Sequence, residues 1–599
     1  MRGPNTSHGI VSGSQVWPEV ADEAETIGAY DGAAAELAES YDRPELTGIY
    51  ASIESLLRDP VAGGLALDVG AGSGRDVQWL ADLGYEVVAV EPAAAMRAEG
   101  VRRHPSERIR WIDDRLPALD AVHRLTLAFD TILVAGVWQH VALGGRERAF
   151  RKLGTLLKPG GLMVVTLRDG PAPPGRPMHP TPLGEMEVLA RSHGLEILRV
   201  ERAADAMGRA DVSWTTVVLR VPDDGGGALP LLRGIILSDD KSSTYKLGLL
   251  RAVARVAEYA PATARPCVDA LDPDVVEIPL GLVAANWIRM YLPLVRSGLP
   301  QAPGNSGPDG LGFAKSGFRA LVELGASAQD LRPGAVNSGD RAAMVRGAIG
   351  EAAATIASMP ANFTRFPNSD RRVFGAQRAR GRGPQGTLVL DVPTLRGWGT
   401  ITVPGSVWRA MTRFGAWIEP VLVAEWARLT RRYAARMGMV VEPGQVEAAL
   451  EWQEPMRSTV AGRMAAQRLF ASGRTVECVW SGRRLTMASL DVDHCLPWSA
   501  WPCDDLWNLR PADRRVNQHQ KRDLLPSAAL LASSRPRIVA WWEYAWLEDP
   551  LLGQIFVREA AAALPIETAA TPEDVFSALE WRRLRLRQDQ QLPEWRPVL

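Results

Sequence analysis

The sequence predicts a multidomain chain in which three classes of structure follow one another. These are an α/β doubly wound N-terminal domain, a mainly helical centre, and a small α+β unit near the C-terminus. Three observations carry this reading. Residues 24–222 alternate short β-branched runs with stretches of helical period, residues 229–470 keep an apolar i, i+3, i+4 spacing, and residues 471–530 hold a compact strand, turn and helix pattern crowded with Asp, His and Asn.

The elements follow in chain order. Residues 1–23 are rich in Gly, Ser, Pro and Asn and read as a flexible N-terminus. The runs LALDVG, YEVVAVEP, RIRWID, FDTILVAGV, GLMVVTLRD and TTVVLRVP are the expected strands of residues 24–222. Residues 223–228, Asp-Asp-Gly-Gly-Gly-Ala, break both periods and read as a linker. TYKLGLLRAVARVAEYA, VVEIPLGLVAANWIRMYLPLV, RAAMVRGAIGEAAATIA and EPVLVAEWARLTRRYAARM are then expected helices, interrupted by a short β insertion, GTLVLDVP and TITVP. Twelve of the 20 tryptophans lie between Trp398 and Trp546, and at helical spacing such residues fill cores more often than they stack on bases. Residues 531–599 read as a C-terminal helical region.

Composition narrows the function classes. The 599 residues carry a formal net charge of -1, so any nucleic-acid contact has to be local. The four cysteines, Cys267, Cys478, Cys495 and Cys503, form no CxxC pair, which argues against a disulfide framework or a four-thiolate zinc site. With no apolar run long enough for a membrane and no signal layout, a cytoplasmic protein with no membrane partner is expected. Lysine occurs only six times, which makes Lys241, Lys246 and Lys521 worth following.

LALDVGAGSGRDVQWL is an apolar strand, an acid, a glycine turn and a helix start. Gly70, Gly72 and Gly74 allow close backbone approach to a ligand, and Glu91 ends the next strand about 20 residues on, where a carboxylate accepts ribose hydroxyls. Asp68, the Asp113-Asp114-Arg115-Leu116-Pro117 segment, FDTILVAGVWQHV and LLKPGGLMVVT complete the pattern. On these residues the chain resembles class I S-adenosylmethionine methyltransferases over about residues 24–222. The resemblance implies a Rossmann-like sheet with S-adenosyl-L-methionine as cofactor. Asp68 and Gly70 to Gly74 would hold its methionine end, Glu91 its ribose, Asp114 or Asp113 its adenine edge, and Ala135 to Trp138 the pocket floor. Val134-Ala135-Gly136-Val137-Trp138 lacks the tetrapeptide of amino-methylating DNA enzymes, so a small-molecule acceptor is expected, with His140 a candidate general base.

Leu490-Asp-Val-Asp-His-Cys-Leu-Pro-Trp-Ser499, Asp505-Leu-Trp-Asn508 and Asn517-Gln-His-Gln-Lys521 ending in Leu-Leu-Pro526 have the parts of a phosphodiester hydrolase. Asp493 and Asn517 offer hard oxygen ligands for a divalent cation, and His494 a base. Over residues 474–530 the chain resembles HNH endonucleases of the ββα-metal type found among bacterial restriction and defence genes. The resemblance implies Mg2+ or Mn2+ on Asp493 and Asn517, with His519 the alternative to Asn517. It also implies His494 activating water, Asn508 bracing the loop that carries it, and Lys521 on phosphate. Arg378, Arg380 and Arg382 add a local basic patch for DNA, or RNA, and Arg582, Arg583, Arg585 and Arg587 a second basic run that reads as an exposed helix face. Cutting both strands with one such centre per chain takes two copies, so a homodimer is expected. The leading reading is a DNA endonuclease of anti-phage defence fused to a methyltransferase domain. The alternatives are a small-molecule or RNA methyltransferase with an inactive HNH-like binding module, and a nuclease whose methyltransferase fold senses cofactor.

Overall fold

In the computed structural model the chain divides into two compact units, Met1–Gly227 and Ala228–Leu599. The structure describes residues 23–43, 49–57, 64–267, 274–303, 313–367, 369–379, 386–453, 457–564, 566 and 571–596. The N-terminal stretch 1–22, Arg380 and Arg382 lie outside the described residues.

The first unit is built on a mixed sheet of seven strands. They are β1 (Leu65–Val69), β2 (Glu86–Val90), β3 (Ile109–Ile112), β4 (Phe129–Val134), β5 (Leu157–Asp169), β6 (Glu196–Ala204) and β7 (Ser213–Arg220). The order is β3-β2-β1-β4-β5-β7-β6. The first five strands are mutually parallel, and β7 runs antiparallel to both β5 and β6. Strands covered on both faces must be apolar on both. β1 accordingly sends Leu67 and Val69 to one core and Ala66 to the other, and β2 sends Val88 and Val90 one way and Val87 and Ala89 the other. Helices Glu23–Gly32 and Ala34–Tyr41 close a third cluster, in which Tyr30, Leu37 and Tyr41 pack on Ala34, Ala93 and Met96.

β6 is absent from the sequence expectation. It reads EILRVERAA, lies at the edge of the sheet, and leaves most of its side chains wholly or partly exposed, so it lacks the apolar signature of its neighbours.

The second unit has two cores. Helices Tyr245–Tyr259, Leu280–Arg296, Gly339–Ser358 and Gly405–Arg436 enclose the first. VVEIP, expected as the start of a helix, is instead a strand, Val275–Pro279, because its β-branched residues pair antiparallel with Gly399–Pro404. Gly399–Pro404 also pairs with Gly375–Arg378, whereas Thr387–Val389 pairs separately with Val336–Ser338.

The second core runs from Ala465 to Trp595 and joins helix Val460–Ala471, the hairpin Leu490–His494/Leu509–Asp513 and helices Ala528–Trp542, Pro550–Ala563 and Pro572–Gln590. Boundaries at 470/471 and 530/531 therefore cut through one packed body. Trp426, Trp507, Trp542 and Trp546 are fully buried, so much of the tryptophan density fills these cores, while Trp417 and Trp581 are exposed, at 79% and 66%.

Candidate functional site

The first site forms where the parallel strands end. After β1 the chain must turn sharply into helix Arg75–Asp82, and Gly70, Gly72 and Gly74 all take positive φ, of 74°, 54° and 92°. A Cβ on Gly70 would overlap Val137 Cγ2. The turn is tied to β2, since Gly70 N and Ala71 N donate to Val90 O at 2.8 and 2.9 Å.

Glu91 follows β2 directly. Its Oε2 accepts from Gly72 N and its Oε1 from Ala93 N, both at 2.8 Å. Burial raises its carboxyl pKa, and the two amides work against that shift. Each oxygen keeps a further lone pair for a ligand hydroxyl. Asp68 is buried at the end of β1, and burial, with Asp76 nearby, raises its pKa well above the carboxylate range. Arg75 grips Asp76 through Nε–Oδ1 at 2.7 Å and Nη2–Oδ2 at 3.0 Å, and the Tyr50 hydroxyl donates to Asp76 Oδ2 at 2.9 Å.

The acids after β3 divide. Asp114 lines the cavity and accepts from Arg115 N and Val122 N, whereas the Asp113 side chain is 65% exposed and faces Arg97.

The cavity is about 430 Å³, within the range of small-molecule sites. The strand order sorts its lining. The glycine turn, Glu91 and Asp114 belong to β1, β2 and β3, and His140, Arg168 and Trp214 to β4, β5 and β7 on the other side of the switch between β1 and β4. His140 Nδ1 lies 3.1 Å from the Pro177 carbonyl, which can only accept, so Nδ1 carries the proton. Its Nε2 then accepts from the Tyr30 hydroxyl at 3.1 Å. Burial pushes the His140 pKa down to about 4, leaving a neutral imidazole with a lone pair at the cavity wall.

Trp138, expected on the pocket floor, is instead packed against Phe150 and Arg146 in the core, and Ala135, Gly136 and Val137 line the cavity without it. Sequence reasoning missed Tyr30, Arg168, Arg176 and Trp214. Arg168 had a legible signal, a charge that follows the mainly apolar run 162–167 near the C-terminal end of its strand, whereas Tyr30 comes from a helix outside the motif run.

In the second unit Asp493 and His494 end one strand of the hairpin, and Asn508 precedes its partner. Buried Asn508 accepts from Leu496 N at 2.9 Å and donates to Leu496 O and Cys503 O at 3.3 and 3.1 Å, tying down the loop after His494. The following helix is a single wide turn, Val516–Lys521, closed by Arg522 N on Asn517 O.

Asp493 and Asn517 do not converge on a common centre by their hydrogen bonds. Asn517 Nδ2 donates to Asp491 Oδ2 at 3.0 Å, and Asp493 accepts from Trp480 Nε1 at 2.7 Å and Lys521 Nζ at 3.1 Å. His494 is buried, with Nε2 on Asp504 Oδ1 at 2.8 Å, and His519 is exposed. Among the described residues no group of three or more His, Cys, Asp or Glu is placed to hold a metal.

Lys521, expected on phosphate, is 0% exposed, because its ammonium is drawn inward by Asp493 and the His494 carbonyl. Lys241 donates to Asp239 O and Lys246 pairs with the Asp239 carboxylate, so both lysines brace their own segment. Arg378 is exposed at the end of Gly375–Arg378. Arg582 and Arg583 are buried in the second core, so their run is no exposed basic face.

A family model described as a methyltransferase domain matches residues 67–163, and one described as a domain of unknown function, DUF8808, matches residues 225–450. The chain is 35% identical over 119 residues to a ubiquinone biosynthesis O-methyltransferase of Methylocella silvestris, a match covering 19% of this chain and 45% of that one. It thus spans less than half the length of that relative. Among solved structures it is similar to 1,6-didemethyltoxoflavin-N1-methyltransferase of Burkholderia thailandensis with bound S-adenosylhomocysteine, at 20% identity, TM-score 0.28, 33% of this chain and 88% of that one. It is also similar to the N-methyltransferase NodS of Bradyrhizobium japonicum in complex with S-adenosylhomocysteine, at 15% identity, TM-score 0.28, 33% and 100%. The methyltransferase-domain match falls within the N-terminal unit, whose seven-stranded mixed sheet is Rossmann-like.

Proposed function

We propose that the chain is an S-adenosylmethionine-dependent methyltransferase of a small-molecule acceptor. The observation that carries this is the shared cavity of Glu91, Asp114 and the glycine turn with the neutral imidazole of His140. The residues fit the cofactor. The turn at Gly70 has no room for a Cβ, and Glu91 is held by two amides with lone pairs to spare.

The cofactor, when bound, supplies an activated methyl group on its sulfonium. Glu91 would accept the ribose hydroxyls, Asp114 would meet the adenine edge, and Asp68 would stand by the methionine end. A hydroxyl or amine acceptor gives up one proton as it takes the methyl group, and His140 Nε2, freed from Tyr30, can receive it. The rest of the task is alignment and exclusion of water, to which the Tyr30 helix contributes.

Phosphodiester hydrolysis at the hairpin is the weaker reading, because it needs Asp493 open to a metal and His494 open to water, and both side chains are buried, Asp493 on Trp480 and Lys521 and His494 through Nε2 on Asp504. DNA or RNA as substrate and a role in defence rest on that reading.

The test is calorimetric titration of the full chain with S-adenosylhomocysteine. Saturable binding is expected, and Glu91→Gln, which replaces one acceptor oxygen with a donor, should weaken it roughly ten- to a hundredfold. Absence of binding to the wild-type chain would overturn the proposal.

A further inference from the structure

The hairpin and wide turn of the second unit have the chain layout of a ββα metal centre, yet the electrostatics around Asp493 are those of a site already neutralised. Each of its oxygens already accepts one hydrogen bond: Trp480 Nε1 donates to Oδ2 at 2.7 Å, and Lys521 Nζ lies 3.1 Å from Oδ1. Lys521 Nζ also donates to the His494 carbonyl at 2.8 Å, and its side chain lies against the Trp480 ring, 5.7 Å from the centroid.

A second cation stands on the same face. Arg510 is directly opposite Asp493 in the hairpin register, fully buried, beside Cys495, and 4.6 Å from the Trp542 ring centroid. Two fixed cations thus face one carboxylate. A divalent ion would add two more positive charges in a low-dielectric interior, where like charges repel strongly.

The strand and turn repeat this logic one step along. Asp491 and Asp493 share a strand face, and Asn517 and Lys521 are four apart on one turn. Asn517 donates to Asp491 as Lys521 does to Asp493, so the pairs latch turn to strand. Asn517 presents its amide NH2 to that face, which is the donor end and not a metal ligand.

We propose that Lys521 is the resident cation of this unit, standing at Asp493 where a divalent metal would stand in a hydrolytic ββα centre, and that the unit is a metal-independent scaffold. His494 is buried, with Nε2 held by Asp504 at 2.8 Å and no hydrogen-bond partner at Nδ1 among the described residues.

Mn2+ alone is the probe, titrated into the full-length protein up to millimolar concentration while the electron paramagnetic resonance signal of free Mn2+ is followed, for wild type and Asp493→Asn. Either no saturable binding, or binding that Asp493→Asn leaves intact, supports the proposal. Saturable binding that Asp493→Asn abolishes overturns it. A second arm uses denaturant midpoints. Lys521→Met is expected to lower the midpoint of the second unit, and the double variant Lys521→Met/Asp493→Leu to recover part of that loss, since neither member of this pair is then buried without the other. A double variant that falls by the sum of the two single losses would equally overturn the proposal. Absence of saturable binding to the wild-type protein decides the matter without any variant, and the denaturant arm decides it where wild type binds and Asp493→Asn does not fold.

Discussion

Gly70 is the residue at which backbone geometry and ligand access meet. Its φ of 74° belongs to the left-handed region, and a Cβ there would run into Val137 Cγ2. Gly70→Ala should therefore cost the first unit roughly 1–3 kcal/mol, read as a lowered denaturant midpoint, and should also weaken S-adenosylhomocysteine binding. Unchanged stability would mean that the turn relaxes freely.

His140 makes a second prediction at this scale. Its folded pKa lies near 4, below its ordinary value of 6.5, so between these values the unfolded chain binds the extra proton. The stability linked to His140 is complete above its ordinary pKa and is lost as pH falls toward 4. Wild type should thus lose stability from pH 7.5 to 5, and His140→Gln should show a shallower loss, as measured by urea denaturation at each pH. Equal slopes would place the titration elsewhere.

These residues were unequally legible. Gly70, Glu91 and Asp114 announce themselves because a tight turn after an apolar strand, and acids at the ends of the next two strands, are local patterns. Tyr30 and the Trp214 wall reach the cavity through tertiary packing, which leaves no spacing in the sequence.

At the scale of elements, the hairpin Leu490–His494/Leu509–Asp513 depends on the loop between its strands. Asn508 holds that loop by three hydrogen bonds and is itself fully buried. Removing its amide leaves a buried N–H and two carbonyls unpaired, so Asn508→Ala is expected to cost about 3 kcal/mol, measured by chemical denaturation. A cost below about 1 kcal/mol would mean that water replaces the amide without strain.

Elements fixed by their own composition were readable, whereas those decided by a distant partner were not. The six apolar strands of the first sheet belong to the former. β6 belongs to the latter, because its charged sequence is a strand only beside β7, and so does Val275–Pro279, which precedes a long helix and pairs with Gly399–Pro404. The chemistry of the Asp493 region was legible as residue types and misread as a metal site, since only the fold reveals that Lys521 turns inward.

At the scale of the whole molecule, each unit has hydrophobic clusters of its own. The clusters of the first draw on residues up to Val221, and those of the second begin at Ala228. Units with separate cores unfold as separate cooperative blocks unless another contact couples them, and a ligand stabilises only the block that binds it. The cavity is lined entirely by residues of the first unit, from Glu23 to Thr216. Scanning calorimetry of the full chain should therefore resolve two transitions. With S-adenosylhomocysteine at a hundred times its Kd, one of them should gain about 2.7 kcal/mol of stability while the other stays in place. Glu91→Gln should reduce the shift, and Asn508→Ala should lower only the transition that the ligand leaves untouched. If both transitions moved together with ligand, the two units would be energetically coupled, and cofactor occupancy would reach the second unit. If neither moved, the cavity would have lost its ligand, and the methyltransferase reading would fail with it.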